Sequence, residues 1–291
     1  MISSMTGYAA QSRRFAGGQL YMELKGVNSR FLDLHFRLAD ELRMAESGIR
    51  EQLAARVRRG KVECRLYFTL ERRAGAAEVD EAALEEIREI GNRVRARLPE
   101  IGPLTLGDVL RWPTLLGNEG VEFDALAPTI QELLGVTLDE FIAARAREGE
   151  KLAALILERG RQMRVILSRI APLIPAAQAI QSEKLRQRLN HAVSASGTGI
   201  DESRILQEAA LFAARIDVDE ELSRLAAHLD ELERICAAGG AVGKRLDFLM
   251  QELNREANTL SAKSVLAEVT QAALELKLLI EQMREQTQNL E

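Results

Sequence analysis

Two stretches near the C-terminal end of the chain carry side chains able to hold a divalent cation. Asp217, Glu221, Arg224 and His228 fall at helical spacing, which puts them on one stripe of an α-helix. Leu222, Leu225, Leu229 and Leu232 form a separate apolar stripe about 100° around the axis, so the polar stripe borders the buried face. The next helical segment repeats the arrangement, with Glu252, Glu256, Thr259 and Lys263 on one stripe and Leu246, Leu249, Leu253, Ala257 and Leu260 on the core side. Arg255 and Asn258 lie beside the carboxylates. A hairpin across 237–242 would bring four carboxylates and one imidazole together. Oxygen ligands suit Mg²⁺ and Mn²⁺, and Mn²⁺ also accepts an imidazole. A cation held there would polarise a phosphoryl oxygen and activate a water, which is the chemistry of phosphodiester hydrolysis. Arg255 or Lys263 would then offset charge developing on the phosphate. An exposed helix laced with ion pairs has the same spacing, so spacing alone leaves both readings open.

Other chemistries find little support. The chain has no nucleophile elbow, Walker loop, dinucleotide fingerprint or HExxH motif. Its three histidines, His35, His191 and His228, are too few for a multi-histidine mechanism. Cys64 and Cys236 lie far apart, which argues against a disulfide framework or a cysteine zinc site and for a reducing, cytoplasmic setting. No apolar h-region opens the chain, and no apolar run approaches the roughly 20 residues of a membrane helix, so a soluble protein is expected. Net charge is −5, but its distribution is uneven: residues 1–73 sum to +6 and the remainder to −11. A basic front and an acidic back suit a division between holding phosphate and holding metal.

The elements that must position these groups follow from periodicity. Segments 2–14 and 19–28 flank Ala16-Gly17-Gly18, a hairpin turn. Residues 31–37 alternate apolar and polar as a half-buried strand does, 40–58 have helical spacing, and a strand runs from Val62 to Phe68. This predicts β-β-β-α-β, a small sheet with a helix packed on one face. Asp80 caps a helix to about Leu98, and 99–120 read as a loop with a short turn. Helix resumes near Pro128 and runs to about Arg169, where Pro172 and Pro175 are expected to break it. A second helix, 176–192, is expected to return beside the first as an antiparallel arm. The clearest linker is 194–200. Helices then follow near 201–216, 219–238, 243–260 and 265–289. The fold class is therefore α+β: a β-rich sheet with packed helix in a domain at 1–127, a helical arm and linker at 128–200, and a C-terminal helical domain at 201–291.

Several strings are specific enough to compare. The run Gly243–Leu260 (GKRLDFLMQELNREANTL), the run Asp217–Leu225 (DVDEELSRL) with His228, and the ending Ile280–Glu291 (IEQMREQTQNLE) closely resemble the C-terminal signature of the YicC/YloC endoribonuclease family. SMTGY at 4–8, VNSRFLD at 27–33 and RGKV at 59–62 are similar to that family's N-terminal marks. Order and spacing agree over essentially the whole chain. Two departures, Ala39 in place of a frequent proline and Met250 in place of a more usual leucine, touch none of the acidic positions.

The resemblance implies a bacterial, cytoplasmic, metal-dependent endoribonuclease using Mg²⁺ or Mn²⁺ and assembled as a ring-like homo-oligomer, a hexamer. It implies metal ligation by Asp217, Glu221, His228, Glu252 and Glu256; Glu252 and Glu256, with Arg255 from the reading of the stripe, are the expected catalytic residues. Glu208 and Glu220 stay open as substitutes for any one ligand, because helix rotation is not fixed by sequence. For holding RNA the candidates are Asn28, Arg30, Arg59 and Lys61: Arg30 and Lys61 for phosphates, Asn28 for a 2′-hydroxyl or base edge. Turn and strand-end punctuation is the competing explanation of those four. The expected partners are RNA and, beyond it, other RNA-decay enzymes. The rival function is a non-catalytic adaptor that delivers RNA to a separate nuclease.

Overall fold

Alternation in the first seventy residues produces the sheet it predicts. The computed structural model describes residues 1–70, 80–112, 123–196 and 202–291. β1 (Gly7–Phe15) and β2 (Gly18–Val27) form the expected hairpin, with Gly17 at φ 105°, a conformation open to glycine. β3 (Leu32–Leu38) leads through a 3₁₀ turn (Asp40–Ala45) and α1 (Glu46–Arg56) to β4 (Gly60–Leu70). The strand order is β1-β2-β4-β3, antiparallel except for the β3–β4 pair. Parallel neighbours require a crossover, and α1 provides it.

One face of this sheet is covered and the other is not. Leu20, Met22 and Leu24 of β2 and Val62, Cys64 and Leu66 of β4 are buried against Ile49 and Leu53 of α1. The first half of α4 (Phe123–Ile170) closes the same core with Leu126, Leu134 and Phe141. Among the described residues no helix packs on the opposite face, where Tyr67 is 41% exposed. After the sheet, α2 (Glu81–Arg97) is capped by Asp80, which accepts from the amides of Ala82 and Ala83 as expected. α3 (Leu106–Leu110) opens on a Thr105–Asp108 capping box and is the short turn expected within 99–120. Residues 113–120 of that expected loop lie outside the described residues.

The helical arm corrects the sequence reading in two places. α4 begins at Phe123 and takes Pro128 inside it, because Leu126 and Ile130, both 1% exposed, are packed on the sheet. Burial of two aliphatic side chains outweighs one lost backbone hydrogen bond near a helix start. Pro172 and Pro175 do not reverse the chain. They sit within the 3₁₀ turn Ala171–Leu173 and at the second residue of α5 (Ile174–Ser196), first-turn positions where a missing N–H costs little. α5 therefore carries on from α4 and pairs with α6 (Glu202–Arg215), where an antiparallel return along α4 was expected. Ser194–Ser196, expected in the linker, belong to α5, and 197–200 lie outside the described residues. By length and composition alone the stretch 123–191, with one window of mean hydropathy 1.2, could cross a bilayer, where none was expected. Its Ile156, Met163 and Ile170 are instead buried in the C-terminal core.

That core is a helical bundle. α7 (Asp219–Ala238) and α8 (Gly243–Lys263) form the expected hairpin, and α9 (Ala267–Thr287) packs on α8 and on the second half of α4. Leu225, Leu229 and Leu232 of α7 meet Leu246, Leu249, Leu253 and Leu260 of α8 as their spacing predicts, with Leu276 and Ile280 from α9.

The two ends of the chain lock together. Residues 2–6 were expected in the first strand, but they leave the sheet to pair with the C-terminus. Ser4 bridges Leu290, Met5 N donates to Asn289 O (2.8 Å), and Glu291 N donates to Ser3 O (2.9 Å). Buried Arg145 of α4 donates to Ser4 O (2.6 Å) and pairs with Glu291 (2.5 Å). Gly149, one turn on, has the Ile2 backbone so close that a Cβ would lie 2.3 Å from its carbonyl oxygen.

Candidate metal centre

The α7–α8 hairpin turns two polar stripes toward each other because each borders its helix's leucine seam. His228 of α7 and Glu252 and Glu256 of α8 place ligand atoms all within 4.8 Å of one another. His228 and Glu252 are half-buried and Glu256 is buried. Two donors on one ion at about 2.1 Å each stand at most about 4.2 Å apart. Small side-chain movements therefore bring the three within ligating range. Two carboxylates and an imidazole are a donor set that Mn²⁺ accepts whole and Mg²⁺ accepts through its oxygens.

Both buried carboxylates in this groove already have a cation beside them. Arg224 of α7 reaches across to Glu256 Oε1 (3.3 Å) and also pairs with Glu220, four residues before it on its own helix. These contacts, Glu256 first, raise the Arg224 guanidinium above its usual range. Toward the other end of the hairpin, Lys263 Nζ lies 2.8 Å from Glu221 Oε1. The hydrogen bond to Glu221 is the main reason the Lys263 ammonium is raised above its ordinary range, with Glu220 and Asp217 adding to the field. Glu221 Oε2 is buried with no hydrogen-bond partner among the described residues, an uncompensated acceptor of the kind that a cation or water satisfies.

The five expected ligands are thus divided. Glu252, Glu256 and His228 come together. Glu221 is turned to Lys263 and falls outside that cluster, and Asp217 is exposed, its carboxylate accepting from Asp219 N (3.0 Å) ahead of α7. Of the open substitutes, Glu220 is held by Arg224 and Glu208 is exposed on α6. Arg255 is exposed, with no ion-pair partner among the described residues. Arg224 was missing from the expected site, although its place on the Asp217–His228 stripe was the signal that could have found it.

The four residues expected to hold RNA gather where β2 ends and β4 begins. Asn28 donates to Gln288 O (2.6 Å) and Arg59 to Arg30 O (3.2 Å), so both fasten turns. Arg30 stacks over Phe31, 5.4 Å from the ring centre, and Lys61 is exposed. A separate apolar cleft of about 190 Å³ lies between α2 and α3, lined by Ile87, Val94, Leu104 and Trp112. It shares no residue with the acidic groove and holds no cluster of titratable groups.

Comparison with known proteins bears on the whole chain. Residues 2–154 match the endoribonuclease YicC-like N-terminal region and residues 170–291 the endoribonuclease YicC-like C-terminal region. A Haemophilus influenzae protein named "Probable endoribonuclease YicC" is 41% identical over 297 aligned residues, covering all of both chains. A Clostridioides difficile protein of the same name is 27% identical, again over the full length of both.

Proposed function

The chain belongs to the YicC-like endoribonuclease family, and we propose that it cuts RNA internally by hydrolysis, using Mg²⁺ or Mn²⁺ held by His228, Glu252 and Glu256. The observation that carries this reading is the meeting of one imidazole and two carboxylates in the α7–α8 groove. When bound, a divalent ion supplies a polarised phosphoryl oxygen and a more acidic water. The chain's own residues do the rest. Arg224 holds Glu256 in place through their ion pair. Arg255, exposed beside the two glutamates, meets the phosphate. Asp217 and Glu221 extend the acidic groove, and Glu221 becomes a ligand only when Lys263 leaves it. Lys61, Arg30 and Arg59 hold the strand, while Asn28, fastened through its N–H, offers its carbonyl oxygen to a 2′-hydroxyl.

The protein is proposed to work in the cytoplasm, with other RNA-decay enzymes, as a homo-oligomer, a hexamer by family resemblance. Ile180 of α5 and Leu206 and Leu211 of α6, each more than half exposed, support subunit contact through the arm. One observation favours the rival reading of a non-catalytic RNA-binding adaptor: Glu221 and Glu256 each already face a cation, as structural ion pairs do.

Incubation of pure protein with end-labelled single-stranded RNA and Mg²⁺ or Mn²⁺ separates the two. Internal cuts that vanish in EDTA and in Glu252→Ala/Glu256→Ala are expected. RNA that is bound but intact under every condition would sink the nuclease and leave the adaptor.

A further inference from the structure

Side chains alternate across the N-terminal sheet, and α1 and α4 both cover the same side of it. The other side is therefore built from residues that the core does not use. All three tyrosines of the chain lie there, in a sequence with only 4% aromatics. Tyr21 of β2 and Tyr67 of β4 are directly opposite in register, and their rings stack at 5.1 Å with planes 9° apart. Tyr8 of β1, paired in register with Lys25, is 57% exposed.

The charges on this face are sorted. Glu63 pairs with Arg37 (3.0 Å) and Arg65 (2.8 Å), and Asp33 pairs with His35 (2.8 Å). Glu23 faces Arg65 at 4.0 Å. Each acid thus has a partner within the face, whereas exposed Lys25 and Lys61 have no carboxylate within ion-pair distance among the described residues, Lys25 only adding to the field at Glu63. Beside the ring pair a shallow cleft of about 210 Å³ is walled by Ser12, Tyr21, Glu23 and Tyr67. Burial and the nearby Glu23 raise the Tyr67 phenol, so it stays a neutral donor.

We infer that this uncovered sheet face is a base-stacking platform for single-stranded RNA, with Tyr21, Tyr67 and Tyr8 taking bases and Lys25 and Lys61 taking phosphates. The inference rests on the proposal that the protein acts on RNA. Stacked rings and unpaired cations on an open sheet are what a single strand requires, since every base has a π-face and every linkage a charge. Tyrosine is also common where proteins meet, but lysine, glutamate and aspartate are depleted there, and this face carries Lys25, Lys61, Glu23, Glu63 and Asp33 beside its tyrosines.

The test uses the full chain in EDTA, so that binding is read without cleavage, with a fluorescein-labelled single-stranded oligoribonucleotide followed by anisotropy. Tyr21→Ala/Tyr67→Ala is expected to weaken binding by about tenfold or more, and Tyr21→Phe/Tyr67→Phe by less than about twofold. Lys25→Ala/Lys61→Ala is expected to flatten the dependence of log affinity on log salt by about 1.4. If the alanine pair fails to fold by circular dichroism, Tyr8→Ala provides the same reading, expected at about threefold or more. Unchanged affinity in a folded alanine variant overturns the platform. A changed oligomer mass with unchanged RNA affinity overturns it too, in favour of an interface between copies. If the wild-type protein neither binds nor cuts RNA, the RNA reading falls and the platform falls with it. If it binds and cuts, and the alanine pair does so equally, only the platform falls.

Discussion

Lys263 Nζ sits 2.8 Å from Glu221 Oε1, and the other oxygen of Glu221 is buried with no partner among the described residues. The two residues belong to facing helices, α8 and α7, so the pair ties the hairpin at the end away from His228. A carboxylate with 7% of its side chain exposed is costly unless compensated. Lys263 compensates half of it, and this makes Glu221 both a structural anion and the residue in the groove with an acceptor to spare.

Lys263→Met is therefore expected to destabilise the protein by about 1–3 kcal/mol, since it leaves Glu221 buried without its cation. Glu221→Gln added to Lys263→Met should recover part of the loss, a non-additivity that urea titrations of the two single variants and the double variant will show. Lys263 is raised in the folded state. Its contribution is thus complete below the ordinary lysine range and disappears as pH rises through the elevated value. The stability gap between wild type and Lys263→Met should be constant from pH 7 to 9. A gap that widened with pH in the alkaline range would contradict the assignment.

Cys64 gives a second, independent pH signature. It is buried inside the sheet, and burial pushes its thiol up to about 12 from an ordinary value of 9.0. Above the ordinary range the unfolded chain releases this proton while the folded one keeps it. Stability should then fall by about 1.4 kcal/mol per pH unit until the folded value is reached. Cys64→Ala removes this contribution, so its stability should decline less steeply than wild type above pH 9. Parallel curves in a pH series of chemical denaturations would show that Cys64 is not the source.

Much of this fold was legible because periodic burial leaves a periodic trace. The leucine seams of α7 and α8, the hairpin at Ala16-Gly17-Gly18 and the Asp80 cap depend on neighbours within one turn or one strand. The course of the arm was not legible. Pro172 and Pro175 signal a break, and α4 does end at Ile170, but each occupies a first-turn position that tolerates it, so the chain carries on where a return was expected. The pairing of residues 3–5 with 289–291 is contact between the two chain ends, for which local alternation holds no information. In the site, helical spacing found the stripes, and it was the relative rotation of α7 and α8 that put Glu221 against Lys263 and left Glu252 and Glu256 with His228. The uncovered sheet face was hidden for a similar reason: alternation shows that two faces exist, but not that α1 and α4 choose the same one.

The joint between the chain ends should be the most sensitive part of the fold outside the cores. Arg145 is 4% exposed and holds both Ser4 O and the Glu291 carboxylate. Arg145→Met is expected to cost about 3–5 kcal/mol, because one partner of a buried pair is left alone. Gly149→Ala is expected to cost about 1–3 kcal/mol, since its Cβ meets backbone that must shift. Thermal melts of the two variants would check this, and a Gly149→Ala protein as stable as wild type would mean that residues 2–3 do not pack there in solution.

The donor set of His228, Glu252 and Glu256 makes the choice of metal specific. Mg²⁺ takes oxygen ligands almost exclusively and gains little from an imidazole, whereas Mn²⁺ binds one readily. If His228 is a ligand with Glu252 and Glu256, wild type should bind Mn²⁺ more tightly than Mg²⁺. His228→Ala should then lose Mn²⁺ affinity by about tenfold or more while Mg²⁺ affinity changes less, because loss of a ligand costs most to the ion that used it. Glu252→Ala/Glu256→Ala should lose both ions, since the oxygens serve either one. Isothermal titration of the three proteins with each metal reads these differences without any RNA present. Equal losses of both ions in His228→Ala would move the imidazole out of the ligand set and leave a site of carboxylates alone. Undiminished binding in Glu252→Ala/Glu256→Ala would place the metal elsewhere and return Glu256 and Arg224 to the role of a structural ion pair.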